Sequence, residues 1–199
     1  MHAHAPADET IHGYYQMLGL ALKELLIEKN IVTPEEICRA IEARDAITPA
    51  LGARIVARAW SDPGYRARLL SNAIAGAREL GIDPGDTNLV VVANTPLVHN
   101  VIVCTLCSCY PRMILGLPSS WYKDREYRSR VVRESRAVLT EFGTDVPANV
   151  EVRVHDSTAD LRYLVLPERP EGSDGMDKEE LTALVTRDCM IGVTRPAVH

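Results

Sequence analysis

Val103-Cys104-Thr105-Leu106-Cys107-Ser108-Cys109-Tyr110-Pro111 places three of the chain's five cysteines within six residues. Their spacing is Cys-x-x-Cys-x-Cys, and thiolates are soft ligands for transition metals. The first pair lets two sulfur atoms reach one ion around a tight turn. The second pair encloses the peptide nitrogens of Ser108 and Cys109, so two sulfurs and two nitrogens can lie in one plane with Cys104 as an axial ligand. The segment therefore predicts a metal site built by one loop, with one octahedral position left for water or substrate.

Other interpretations of the cysteine cluster stay open from the residues alone. A structural zinc ion takes four closed ligands and would make the chain a non-catalytic module. His99 is the candidate for the fourth ligand, because Cys38 and Cys189 are distant in sequence and are expected to be buried. An iron–sulfur cluster also takes four ligands. A thioredoxin-like pair uses Cys-x-x-Cys but has no role for a third cysteine, and a buried group of structural thiols needs no metal.

The composition is that of a soluble globular protein, with 46% of the 199 residues apolar and 25% charged. A net charge of −5 argues against nucleic acid as a partner, since phosphate binding needs a basic face. No apolar run reaches the ~20 residues of a membrane span. The sequence starts without a cationic and apolar signal segment, and the odd number of cysteines argues against disulfides. We expect a cytoplasmic protein that does not bind membranes.

Residues 1–85 are predicted to form a helical N-terminal arm that contacts a partner subunit. Apolar residues recur at helical spacing, and three Pro residues stand at typical first-turn positions. The expected helices are 14–29, a helix from 34 with Thr33 and Glu36 as a capping box, 49–60, and 63–80.

Residues 86–199 are predicted to form an α+β domain that carries the metal site. Short β-branched runs indicate buried strands at 89–92 and 101–103. A helix is expected over Tyr122–Phe142, where arginines alternate with acidic residues and predict ion pairs within the helix and with a partner subunit. Strands at 150–154 and 161–166 are expected to pair as a hairpin or meander, followed by a helix at 177–187 and a strand at 190–193. The predicted fold class is α+β with a helical arm.

The chain resembles the α subunit of nitrile hydratases, a family that includes the γ subunit of thiocyanate hydrolase. The resemblance covers most of the chain, and Cys-Thr-Leu-Cys-Ser-Cys is its most specific motif. The segments that carry it most clearly are Asn94-Thr95-Pro96, Val98-His99-Asn100, Val103–Pro111, Gly116-Leu117-Pro118 and Trp121-Tyr122-Lys123.

The resemblance implies a metal site and a reaction. Cys104, Cys107 and Cys109 would bind the ion through sulfur, and Ser108 and Cys109 through backbone nitrogen, with Cys107 in the sulfinic and Cys109 in the sulfenic form. Thr105 is typical of the cobalt subgroup, so we expect low-spin Co(III), with Fe(III) as the alternative. The implied reaction is hydration of a nitrile to an amide. The metal would act as a Lewis acid, and the Cys109 sulfenate as the nucleophile or as the base that activates water.

The resemblance also implies partners. A β-type subunit, as one chain or two shorter ones, would supply arginines that compensate the two negative cysteine oxygens, and the N-terminal helices would embrace it. A cobalt-loading activator protein would fill the site. The chain by itself would then hold half of an active site, and we expect it to have little activity alone.

Two residues depart from the family pattern near the expected pocket. Ala93 stands where relatives usually carry a carboxylate or amide, and Arg112 stands where many nitrile hydratases carry a tryptophan that lines the pocket for small nitriles. Together with the flexible Met113, these residues predict a larger or more polar pocket. We expect a bulky or polar nitrile, such as the nucleoside substrate of toyocamycin nitrile hydratase. Thiocyanate, an anion that Arg112 would attract, is the alternative, and a salt bridge from Arg112 to the partner is the non-catalytic interpretation.

Overall fold

The structure, a computed structural model, describes residues 9–198, so residues 1–8 of the predicted arm lie outside the described residues. Its helices and strands, in chain order, are α1 (Glu9–Glu28), α2 (Pro34–Asp45), α3 (Pro49–Ser61), α4 (Pro63–Ser71), α5 (Ala73–Glu79), β1 (Asn88–Ala93), β2 (Val98–Val103), α6 (Arg112–Leu115), α7 (Ser120–Lys123), α8 (Arg125–Arg130), α9 (Ser135–Glu141), β3 (Glu151–Asp156), β4 (Leu161–Leu166), α10 (Lys178–Ala183) and α11 (Arg187–Ile191). Between Glu9 and Ile191, no helix is both long and apolar enough to cross a membrane.

The described residues up to Ala46 form one compact unit, made of α1 and α2. The predicted capping box of α2 is confirmed: the Glu36 amide donates to the Thr33 hydroxyl over 3.1 Å, and the Thr33 amide donates to the Glu36 carboxylate over 2.8 Å. Both helices carry exposed large apolar side chains, and α2 buries no residue. An exposed apolar surface of this kind is typical of a protein–protein contact. That the arm contacts a partner subunit stays a prediction.

The second unit starts at Ile47, so the boundary between compact units lies there and not at residue 85. Helices α4 and α5 pack against β1, and α3 packs against α6, α10 and α11. The reason is that their apolar stripes are buried in the same core as the strands. Ile55, Leu69 and Ala77, one from each helix, are all at most 1% exposed. Three of the helices predicted for the arm are thus part of the α+β unit.

The four strands are confirmed, but their predicted pairing as a hairpin or meander is wrong. Strand β4 pairs with β1 in parallel, from Asn88↔Leu161 to Ala93↔Leu166, and β3 pairs with β2 in parallel, from Val98↔Glu151 to Val103↔Asp156. Strand β2 is buried at five of its six positions, and the second half of β4 is also buried. Strands buried on both faces are typical of parallel pairing, whereas an alternating pattern is typical of an exposed hairpin.

Polar caps break two of the predicted helices. The helix expected over 63–80 is interrupted at Asn72, whose side chain accepts the Ala75 amide over 3.0 Å and starts α5. The helix expected over Tyr122–Phe142 is divided into α7, α8 and α9, and Asp124 caps the second of them. Ser, Asn and Asp side chains compete for backbone amides and so favour new helix starts.

The predicted last strand is also wrong, because residues 187–191 form α11. The Thr186 hydroxyl accepts the Cys189 amide over 3.3 Å at its start, and Gly192 ends it in the left-handed conformation at φ 91°. A capped start and a left-handed glycine at the end are strong helix signals. The apolar residues Met190, Ile191 and Val193 are buried as the sequence predicts, but on a helix and its end.

Candidate metal centre

The cysteine cluster lies in the loop that follows β2 and precedes α6. Cys104 comes directly after the strand and is 1% exposed, whereas Cys107 is exposed and Cys109 half-buried. The Sγ atoms of Cys104 and Cys107 are 3.4 Å apart, and those of Cys107 and Cys109 are 3.2 Å apart. All three sulfurs lie within 4.8 Å of one another. The structure thus brings together the three side chains that the sequence marks as metal ligands.

The sulfur separations distinguish between coordination geometries. Metal–sulfur bonds are about 2.3 Å long, so two sulfurs at a right angle around one ion are about 3.3 Å apart, and two at the tetrahedral angle are about 3.8 Å apart. The observed 3.4 and 3.2 Å match the right angle. The donor set therefore fits an octahedral or square-planar ion better than tetrahedral zinc.

Three side chains from distant segments hold the cysteine loop. The Asp156 carboxylate at the end of β3 accepts the Thr105 amide over 2.9 Å and the Thr105 hydroxyl over 2.6 Å. The buried Tyr122 hydroxyl donates to the Cys109 carbonyl over 2.8 Å. Arg128 donates to the Cys107 carbonyl, also over 2.8 Å. Sequence reasoning missed these roles because each contact joins residues 13 to 51 positions apart and has no local pattern.

The thiols of the cluster influence one another's pKa, so they do not all ionise at neutral pH. Hydrogen bonds from the thiols of Cys109 and Cys104 lower the pKa of Cys107 to about 7. Burial, followed by the interactions with Cys107 and Cys104, raises the pKa of Cys109 to about 12, and the Arg162 guanidinium opposes that rise. The protein therefore favours one thiolate near neutral pH but not a second one beside it. A bound cation is what makes neighbouring thiols lose their protons together.

His99 does not join the cluster. Its Nε2 lies 2.7 Å from the Gly192 carbonyl oxygen, and burial lowers the pKa of its imidazole. Among the side chains that the structure describes, the group of potential metal ligands consists of the three cysteines without a histidine. The zinc interpretation with His99 as fourth ligand is therefore contradicted. Of the other two cysteines, Cys189 is buried as expected and Cys38 is exposed.

The two residues that depart from the family pattern lie at the ends of regular elements. Ala93 is the last residue of β1, and its carbonyl accepts the Asn100 side-chain amide over 2.9 Å. Asn94 Oδ1 also accepts from Asn100, and His155 Nε2 lies 2.8 Å from Asn100 Oδ1. Arg112 begins α6, is exposed, and makes no ion pair with the acidic side chains of the described residues. The pocket roles of Ala93 and Arg112 stay predictions.

The basic segment after the cysteine loop forms ion pairs within itself, as its alternating charges predict. Arg130 pairs with Glu126, Glu134 and Glu141. The expected ion pairs to a partner subunit stay a prediction.

Comparison with known proteins identifies a family that this chain matches. Residues 14–194 match the family described as "Nitrile hydratase, alpha chain". The chain is 47% identical over 191 residues to the cobalt-containing nitrile hydratase subunit alpha of Pseudonocardia thermophila, covering 94% of this chain and 93% of the relative. It is 40% identical over 204 residues to the thiocyanate hydrolase subunit gamma of Thiobacillus thioparus, covering 96% of this chain and 84% of the relative.

The fold gives the same result. The chain superimposes on a histidine double mutant of the Fe-type nitrile hydratase from Comamonas testosteroni Ni1 with a TM-score of 0.85 and 42% identity, covering 94% of this chain and 92% of that chain. Sequence and structure thus match along nearly the whole length of each relative, and the chain belongs to the nitrile hydratase alpha-chain family.

Proposed function

We propose that the chain is the metal-binding subunit of a cobalt-dependent nitrile hydratase. Cys104, Cys107 and Cys109 hold the ion through sulfur, and Ser108 and Cys109 hold it through backbone nitrogen. The observation that carries the proposal is the pair of sulfur separations near 3.3 Å, which suits ligands at right angles. The presence of Thr105 and the similarity to the cobalt-containing subunit of Pseudonocardia thermophila support cobalt over iron.

The reaction adds one water to a carbon–nitrogen triple bond and gives an amide. A bound Co(III) ion supplies a Lewis acid that polarises the nitrile or a water molecule. The Cys109 sulfenate oxygen is the nucleophile or the base for water. The backbone that carries this side chain is held, because the Tyr122 hydroxyl donates to the Cys109 carbonyl and the Asp156 carboxylate accepts the Thr105 amide at the start of the loop. Such fixed geometry lowers the entropic cost of the reaction.

The exposure of the sulfurs supports the oxidation pattern that we propose. Dioxygen is the proposed oxidant and the source of the added oxygen atoms, and oxidation of cysteine follows thiolate character and access. Cys107 is exposed and would carry the sulfinic form, and the half-buried Cys109 would carry the sulfenic form. Cys104 is 1% exposed and would stay a thiolate. Mass spectrometry of the native protein is expected to find two added oxygen atoms on Cys107, one on Cys109 and none on Cys104.

The proposed enzyme works in the cytoplasm with a β-type subunit and receives its metal from a cobalt-loading activator. Two features support a partner. The cluster is open to solvent at Cys107 in the chain by itself, and both helices of the first unit present apolar side chains. A second subunit would enclose the charged groups of the site and so strengthen the electrostatic interactions among them.

Elemental analysis and nitrile turnover of the native complex test the proposal. About one cobalt per chain, together with amide formation on a nitrile panel, is the expected result. Cys107→Ser is expected to abolish both, whereas Cys38→Ser, a control at an exposed cysteine of the first unit, leaves both unchanged. Stoichiometric zinc without turnover, or stoichiometric iron in active protein, would contradict the assignment of cobalt.

We propose a bulky or polar nitrile as the substrate, with thiocyanate as the second candidate. The exposed Arg112, three residues after Cys109, favours a polar or anionic substrate over a small aliphatic nitrile. Arg112→Trp is expected to shift the ratio of kcat/KM values toward small nitriles. The control is Arg78→Trp at an exposed position on α5, which should leave that ratio unchanged. An unchanged ratio in both variants would instead support a contact of Arg112 with the partner.

A further inference from the structure

Ser157 carries a buried hydroxyl that has no role in the proposed metal site described so far. The residue is 2% exposed, and its Oγ has no hydrogen-bond partner in the part of the chain that the structure describes. The other buried serine behaves differently: Ser173 is 1% exposed, accepts from Arg169 Nε over 2.9 Å and donates to the Pro170 carbonyl over 2.7 Å. Buried polar groups in native proteins are nearly always paired, so an unpaired hydroxyl indicates a missing acceptor or donor.

The parallel pairing of β2 and β3 places Ser157 at the strand end that leads into the cysteine loop. The last pair of the ladder is Val103↔Asp156, and the Ser157 amide completes this pair by donating to the Val103 carbonyl over 2.7 Å. Cys104 and Ser157 are therefore the residues that directly follow this last pair, one at the end of each strand. Paired positions of neighbouring strands direct their side chains to the same face. Cys104 and Ser157 are both buried, whereas Thr105 and Asp156, on the other face, bond to each other at the surface.

The Ser157 hydroxyl can act as a hydrogen-bond donor to the Cys104 sulfur. A buried thiolate is costly unless hydrogen-bond donors stabilise it. The Cys107 amide donates to Cys104 Sγ over 3.3 Å. A thiolate accepts further hydrogen bonds, and a serine hydroxyl rotates freely to find an acceptor.

We propose that the Ser157 hydroxyl donates a hydrogen bond to the Cys104 thiolate when the metal is bound, and that Ser157 is a positioning residue that tunes this ligand. The inference rests on the proposed function, because metal binding is what converts Cys104 to a thiolate. Donors around a metal ligand set its orientation and its electron donation. A hydrogen bond to the sulfur stabilises its lone pairs, so it raises the energy of sulfur-to-metal charge transfer.

The native complex, produced with cobalt, tests the inference by absorption spectroscopy. Ser157→Ala is expected to move the sulfur-to-cobalt charge-transfer band to longer wavelength while the cobalt content stays near one per chain. Ser157→Thr keeps a hydroxyl at the same position and is expected to restore the band. Ser173→Ala, at the other buried serine, is expected to leave the band in place.

Thermal unfolding of the same variants, made without cobalt, gives the second measurement. Ser157→Ala is expected to leave the melting temperature of the metal-free complex unchanged or raised, because the hydroxyl has no acceptor there, whereas Ser173→Ala lowers it. An unmoved band in Ser157→Ala, or a melting temperature lowered as much as in Ser173→Ala, would overturn the role of Ser157. A wild-type complex without cobalt would instead overturn the proposed function, so the two failures are distinguishable.

Discussion

Gly192→Ala is expected to destabilise the second unit strongly, because this glycine combines a left-handed backbone with close packing. Gly192 has φ 91°, where a side chain costs about 1–2 kcal/mol. A Cβ atom there would overlap the Asn100 carbonyl oxygen and lie 3.0 Å from both the carbonyl carbon of Asn100 and the Cα of Val101. These are backbone atoms of β2, which cannot rotate away. Overpacking of this kind costs about 1–3 kcal/mol more. The expected loss is about 2–5 kcal/mol in the free energy of unfolding.

Gly172 offers a matched control. Its φ of 79° is similarly left-handed, but a Cβ atom there would meet nothing within 4 Å. Gly172→Ala is therefore expected to cost only the conformational term, about 1–2 kcal/mol. Urea denaturation of both variants and the wild type measures the difference, with the slope against urea expected to be unchanged. Equal losses in the two variants would refute the close approach of the end of α11 to β2.

Three further outcomes are expected. Tyr122→Phe removes the hydrogen bond to the Cys109 carbonyl, so urea denaturation should show a loss of about 1–2 kcal/mol and elemental analysis a lower cobalt content; full cobalt loading would argue against Tyr122 as a support of the loop. Asp156→Ala releases both groups of Thr105, and it should reduce cobalt loading without changing the far-ultraviolet circular dichroism. The pKa of buried His99 is below 6.5, so the unfolded state binds more protons as the pH falls below 6.5. The free energy of unfolding should therefore be highest above that pH and decrease below it. His99→Gln should flatten this part of the curve of unfolding free energy against pH. An unchanged slope would show that the pKa of His99 is not lowered in the folded state.

The local features of the fold could be predicted from the sequence, because short-range rules determine them. The Thr33 capping box, the strand at 89–92 and the cysteine spacing each depend on residues a few positions apart. The errors concern choices that the local pattern leaves undetermined. Residues 190–193 are apolar in either a strand or a helix end, and only the Thr186 cap and the left-handed Gly192 distinguish the two.

The predicted end of the arm at residue 85 differs from the boundary between compact units at Ile47 for a related reason. An amphipathic helix must bury its apolar stripe, but the sequence of the helix does not identify the surface against which the stripe packs. In α1 and α2 most large apolar side chains remain exposed in this chain, whereas Leu69 of α4 and Ala77 of α5 are fully buried. Apolar residues recur at helical spacing in both sets of helices, so the sequence pattern groups them together. The partner of each stripe is a tertiary property.

The pairing of the strands matters most for the metal centre, because it determines which residues meet the cysteine loop. In a hairpin of β3 and β4, the end of β3 would lie beside the start of β4. In the parallel pairing, the carboxyl ends of β2 and β3 lie at the same edge. Cys104 and Thr105 then meet Ser157 and Asp156, so one face of the junction holds the surface contact that anchors the loop and the other holds the buried hydroxyl proposed to bond to the first ligand. The cysteine motif specifies the ligands, and the parallel strand supplies the groups that position them.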